Sequence, residues 1–170
     1  MLQKRPVLDI PITTIELLLD IAALGTVIFM LLFLKINYTL LPAEIPTHFD
    51  FTGAPDGWGS KNSLLILAGV MIVFYVGLKI MERFPHTYNY LQPINENNAP
   101  YQYLQGRMLM AFMKTECVLL FAYLIWGSIE TAKGNITGLS HWLLPVFLLV
   151  MAVTLVYFIM KMTKKTDKKE

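Results

Sequence analysis

The sequence predicts an all-α membrane protein, with four transmembrane helices and a turn-rich extracellular cap between the first and second. Three observations carry this. Stretches 17–36, 64–81, 108–127 and 142–160 each run apolar for about the length that crosses ~30 Å of hydrocarbon at ~1.5 Å per residue. The 170 residues are 55% hydrophobic, with a mean hydropathy of +0.53, which leaves too little polar surface to cover four such helices in water. Residues 41–61 are the one long polar interruption whose residue types select shape, with prolines, glycines and Asp-Gly spaced for turns.

Residues 1–16 form a cytoplasmic lead-in broken by Pro6 and Pro11, and Thr13 with Glu16 makes a capping box for the first span. That span, 17–36, carries Asp20 one turn after Glu16, and two interfacial carboxylates suit a helix N-terminus. Asp20 also interrupts the apolar run, and Leu-Pro-Ala-Glu is a poor cleavage site, so the segment is expected to remain as a span.

The cap occupies 37–63. Pro42 and Pro46 end the helix, residues 47–52 alternate as a strand would, and Pro55-Asp56-Gly57 supplies a turn. Ser60 is placed to cap the second span, 64–81. In the cytoplasmic connection 82–107, Asn97 or Asn98 followed by Pro100 starts a stalk helix near residue 99, continuous with the third span at 108–127. Gly134, Asn135 and Gly138 turn the outer loop 128–141, and Pro145 lies in the first turn of the fourth span, 142–160. A basic tail, 161–170, anchors beside anionic lipid.

Charge placement orients the chain. The net charge of +2 says little, but ten Lys and Arg (Lys4, Arg5, Lys79, Arg83, Arg107 and five in the tail) flank one side against Lys35, Lys61 and Lys133 on the other. The positive-inside rule then puts both termini in the cytoplasm, and Trp58, Trp126 and Trp142 all fall at the opposite interface. Cys117 stands alone, which excludes an internal disulfide and a thiolate metal cluster.

Two motifs resemble a known family. The pattern Leu41-Pro42-x-x-Ile45-Pro46-x-His48-Phe49-x-x-x-Gly53-x-Pro55-Asp56-Gly57-Trp58-Gly59-Ser60-Lys61 is similar to the bacterial membrane domain of unknown function 1648, the front part of SdpI-type toxin-immunity proteins. Pro85-His86-Thr87-Tyr88-Asn89-Tyr90 with Asn98-Ala99 resembles the connection that follows it, so the likeness covers roughly residues 15–115. The resemblance implies a multi-pass protein of the bacterial cytoplasmic membrane that protects against, or senses, an extracellular peptide. Immunity proteins of that branch usually carry further spans, whereas four are expected here.

Candidate site residues fall in two groups. In the cap, His48, Phe49, Asp50, Gly53, Pro55, Asp56, Gly57, Trp58 and Lys61 either bind a ligand or build the cap. His48 and Asp50, with Glu44 and Asp56, are metal-capable types. Their spacing matches no zinc signature, which favours hydrogen bonds tying the turn at 55–57. Within the spans, Glu116 lies about 12 Å deep at ~1.5 Å per residue, where Thr26, Tyr75 and Thr154 reach a similar depth and are expected to converge on it. Lys114 either snorkels or pairs with Asp20.

No phosphate-binding glycine loop and no ordered catalytic triad stand out, so no catalytic residue, metal, cofactor or nucleic-acid partner is expected. The expected partners are the lipid bilayer, an extracellular peptide ligand, and a cytoplasmic or membrane protein. The leading reading is a non-enzymatic sensor or immunity protein. A transporter accessory subunit, with Glu116 as a proton or cation site, is the alternative, and a metal enzyme ranks last.

Overall fold

A computed structural model describes residues 5–163, so Lys4 and the tail lysines 164, 165, 168 and 169 of the charge argument lie outside the described residues. The elements run α1 (Thr14–Tyr38), β1 (Glu44–Phe49), β2 (Pro55–Ser60), α2 (Ser63–Met81), a short 3-10 turn (Pro85–Thr87), α3 (Ala99–Ala132) and α4 (Leu143–Thr163). The four α-helices are each long and apolar enough to cross a membrane.

α3 is the axis of the fold. Its 34 residues span about 51 Å at ~1.5 Å per residue, and it packs against α1, α2, α4 and β1. The core repeats at helical spacing: Val118, Ala122, Ile125 and Ile129 of α3 meet Val27, Met30 and Leu34 of α1 and Leu64, Ala68 and Met71 of α2. Leu41 and Ile45 close the same core from the cap. On α4 only Phe158 is buried, so that helix leans mainly on α3 and shows most of its apolar side chains outward, as a lipid-facing helix does.

Helix ends follow local chemistry. Thr13 accepts from the Glu16 amide at 3.2 Å while the Glu16 carboxylate takes the Thr13 amide at 2.7 Å, a complete capping box. Ser60 does not cap α2; the cap position is Asn62, whose amide instead donates to the Ser60 hydroxyl at 3.3 Å. α3 begins at Ala99 behind Asn98, with Pro100 in its first turn, and runs to Ala132 rather than 127. The connection to α4 is correspondingly shorter than 128–141, because nothing in Ser128–Ala132 breaks the hydrogen-bond ladder before Gly134 at φ 75°. The last carbonyls of α4 are taken by stalk side chains: Gln92 donates to Thr163 O at 2.7 Å and Gln102 to Met162 O at 2.9 Å.

The cap is a two-stranded antiparallel hairpin, and here the turn expectation needs correcting. Pro55-Asp56-Gly57 is the start of β2, and the reversal lies at residues 50–54. The Asp50 carboxylate accepts from Thr52 N at 2.8 Å, Thr52 Oγ1 at 2.6 Å and Ala54 N at 3.0 Å, and Gly53 adopts φ 87°. A three-bond Asx turn with a left-handed glycine outcompetes Pro-Asp-Gly, and Pro55 is tolerated as a first strand residue. Register slips flank His48, so Thr47 and Asp56 bulge out of the ladder.

Candidate functional site

Near the stalk end, α1, α2 and α3 bring four opposite charges into a closed ring. Lys114 of α3 is completely buried, and its ammonium donates to Asp20 of α1 and, at 2.5 Å, to Glu82 at the end of α2. Lys79 of α2 completes the circuit with the other Asp20 oxygen and with Glu82 Oε2 at 2.9 Å. Each carboxylate thus meets both ammoniums, and the two positive and two negative charges cancel. A lone charge at this depth would be costly, but a fully paired quartet is tolerated.

Of the two roles open to Lys114, the structure has the ion pair with Asp20, and no snorkelling. Glu16 and Asp20, taken from the sequence as carboxylates suited to a helix terminus, are in fact partners of distant cations, Glu16 buried and Asp20 half-buried. Glu16 receives Arg107 of α3 in a fork, Nε at 2.5 Å and Nη2 at 3.0 Å. The same guanidinium donates to the carbonyls of Ile10 and Pro11, each at 2.7 Å.

Arg107 thereby fastens residues 5–13 along the stalk as a strap. Arg5 reaches the carbonyls of His86 at 3.1 Å and Tyr88 at 2.5 Å, and Tyr103 donates to Pro6 O at 2.9 Å. Tyr88 and Tyr90 donate to Met81 O at 2.7 Å and Pro85 O at 2.8 Å, and burial pushes both phenols above their ordinary range, keeping them neutral donors. A cavity of about 310 Å³ lies beside the ring, walled by Asp9, Glu16, Asp20, Lys79, Arg83 and Arg107 among others.

Glu116 gathers fewer partners than the sequence suggests. Thr154 of α4 donates to its Oε1 at 2.5 Å, whereas Thr26 turns back to its own helix at Ala22 O, 2.8 Å, and Tyr75 sits with its ring 5.9 Å from Lys114. Depth alone had grouped these side chains. Rotation about each helix axis separates them, because Thr26 and Tyr75 belong to helices on the far side of α3 from α4.

The cap residues divide between scaffolding and exposure. Lys61 is structural: its ammonium donates to Tyr38 O at the end of α1 and to Leu41 O in the loop that follows, both at 3.2 Å, and lies 4.9 Å over the Tyr38 ring. Lys133 pins the other side of the same helix end through Asn37. Gly53 O accepts from Leu139 N at 2.8 Å, joining hairpin to loop.

His48 bonds Asp56 across the strands, tying part of the stretch expected of it, while Asp50 holds its own turn instead. The Thr52 hydroxyl bond holds the Asp50 carboxyl below its ordinary value. No group of three metal-capable side chains occurs among the described residues. Phe51 and Trp58 stand out into the surroundings, 88% and 59% exposed. Between the hairpin and the ends of α3 and α4 runs a cavity of about 530 Å³. His48, Asp50, Phe51 and His141 edge it, and Leu120 and Leu124 form its floor.

Sequence reasoning missed Glu82, Lys79, Arg107 and Glu16 as one polar system. The signal was present: an i,i+3 Lys-Glu pair closes α2, and Arg107 lies two turns before Lys114 on α3. Counting Lys79 and Arg107 as free markers of topology hid it.

Fold and site define a helical protein of the multi-pass membrane class, with a small strand cap and a polar core near one end. Residues 25–72 match the family described as a domain of unknown function (DUF1648), a stretch running from within α1 through the hairpin into α2. An uncharacterized protein of Archaeoglobus fulgidus is 24% identical over 144 residues, covering 71% of this chain and 78% of its own. No solved structure matches the chain.

Proposed function

We propose that the protein is a non-enzymatic membrane sensor or immunity protein of SdpI-like type, whose cap faces outward and meets an extracellular peptide. The observation that carries this reading is the groove of about 530 Å³ under the hairpin, apolar at its floor and edged by two histidines, an aspartate and the outstanding Phe51. Such a surface suits an apolar, partly cationic peptide laid along the membrane face. α3 forms part of the groove floor through Leu120 and Leu124, holds the charge ring through Lys114, and fastens the strap through Arg107. It therefore gives a cap event a rigid route to the cytoplasmic side. The lysine and arginine distribution supports that orientation, with both termini in the cytoplasm.

The test is protection of a susceptible host from a membrane-active peptide toxin added outside. The intact chain is expected to raise survival, and Phe51→Ala and His48→Ala are expected to return it to the level of cells without the protein, at unchanged abundance and unchanged proton flux. Full protection by both variants would remove the groove from the account.

A further inference from the structure

A second cavity, of about 550 Å³, lies between α3 and α4 beside the cap groove. Its walls are apolar (Leu119, Val146, Phe147 and Val150), with Tyr123 and Trp142 toward the cap end. One acidic group breaks this lining. Glu116 Oε1 is held by Thr154, but Oε2 is fully buried with no hydrogen-bond partner. Glu116 lies seventeen residues into the 34 of α3, and Thr154 eleven residues beyond Leu143 in α4, so the carboxyl sits about midway along both helices.

An orphan oxygen at that depth is expensive, since hydrocarbon offers an unpaired carboxylate neither water nor a counter-charge. The ring at Lys114 shows how this chain treats its other intramembrane carboxylates: each meets two cations. Glu116 has a hydroxyl on one oxygen and no cation on either, and its side chain forms part of the groove lining. The helix on its far wall, α4, packs mainly on α3, and the groove is lined by residues of α3, α4 and the loop between them.

We propose that this groove is a lateral, lipid-side binding site for a long-chain amine, whose ammonium head pairs with Glu116 and whose chain lies along α4 toward Trp142. Charge complementarity selects the head: an ammonium brings N–H donors and a positive charge to a carboxyl group that has one hydroxyl partner and no cation. The apolar walls select the tail, and from Thr154 to the start of α4 they offer about 16 Å of length at ~1.5 Å per residue. The site adjoins the cap groove, sharing Leu120, Ser140 and Leu143 with it, but Glu116 lines this one and not the other.

The experiment uses the full chain in phosphatidylcholine nanodiscs and a bromine-terminated dodecylamine as the probe, with Trp142 fluorescence as the readout. Saturable quenching is expected for the intact protein. It should weaken by about tenfold or more in Glu116→Gln, the isostere that keeps a hydrogen-bonding head without the charge, which corresponds to a loss of at least ~1.4 kcal/mol. The saturable part should vanish in Trp142→Phe, and the matching neutral alcohol should give only unsaturable quenching. Equal affinity of Glu116→Gln, provided its melting temperature matches the parent, would overturn the proposal, because the pocket would then be a generic acyl groove. Alcohol binding as tight as the amine would overturn it too. So would a dimer by sedimentation without amine-dependent quenching, which would assign the groove to α4 of a second copy.

Discussion

Replacing Lys114 by methionine is expected to destabilise the protein by about 3–5 kcal/mol, the cost of stripping one partner from a buried ion system. The reason lies in the circuit. Without its ammonium, Asp20 and Glu82 share Lys79 alone, and two carboxylates face each other where the side chain of Lys114 is wholly buried. Reversible thermal or denaturant unfolding in nanodiscs measures the change. A fourfold replacement, Asp20→Leu, Lys79→Met, Glu82→Leu and Lys114→Met, should regain most of the loss, because a well-packed apolar quartet is often as stable as the ions it replaces. If the ring serves transmission from the cap as well as stability, the fourfold variant folds but no longer protects. Parental stability in Lys114→Met would mean that the ring does not form as described.

Gly53→Val is expected to release the cap while leaving the bundle folded. Gly53 has φ 87°, which costs an L residue about 1–2 kcal/mol, and any Cβ there collides with the carbonyl of Leu139. Gly138 faces the same contact from the other side, where a Cβ would strike the Gly53 carbonyl. Both glycines exist so that two backbones can touch, and the Leu139 N to Gly53 O bond at 2.8 Å is what the touch secures. Cleavage by a soluble protease at the hairpin should rise about tenfold or more, equivalent to ~1.4 kcal/mol of local opening, with the helical melting transition little moved. Unchanged cleavage would show that the hairpin holds without the loop.

Which parts of this were legible in the sequence depends on the range of the forces involved. The four helices follow from apolar run length, and the start of α1 from Thr13 and Glu16, both local properties. The hairpin was half legible: alternation marked a strand, yet Pro55-Asp56-Gly57 looked the stronger turn, although the Asx turn of Asp50 on Thr52 and Ala54 with Gly53 is equally local and is the one that forms. The site was least legible. Asp20, Lys114 and Glu116 stood out as charges in apolar runs, but which charge meets which depends on helix rotation. Rotation is set by core packing around Ala122 and Ile125, among others, and composition does not report it. Lys79, Glu82 and Arg107 sit at span ends, where charges are unremarkable, so only packing revealed them as members of the polar core.

With α3 joining them, the hairpin and the charge ring are expected to face opposite sides of a membrane. Trp58→Cys and Leu91→Cys, each in a Cys117→Ala background, would be exposed on intact cells to a maleimide that cannot cross the bilayer. Position 58 should label at once, and position 91 only after permeabilisation. Labelling of both from the same side, or of position 91 alone on intact cells, would contradict it.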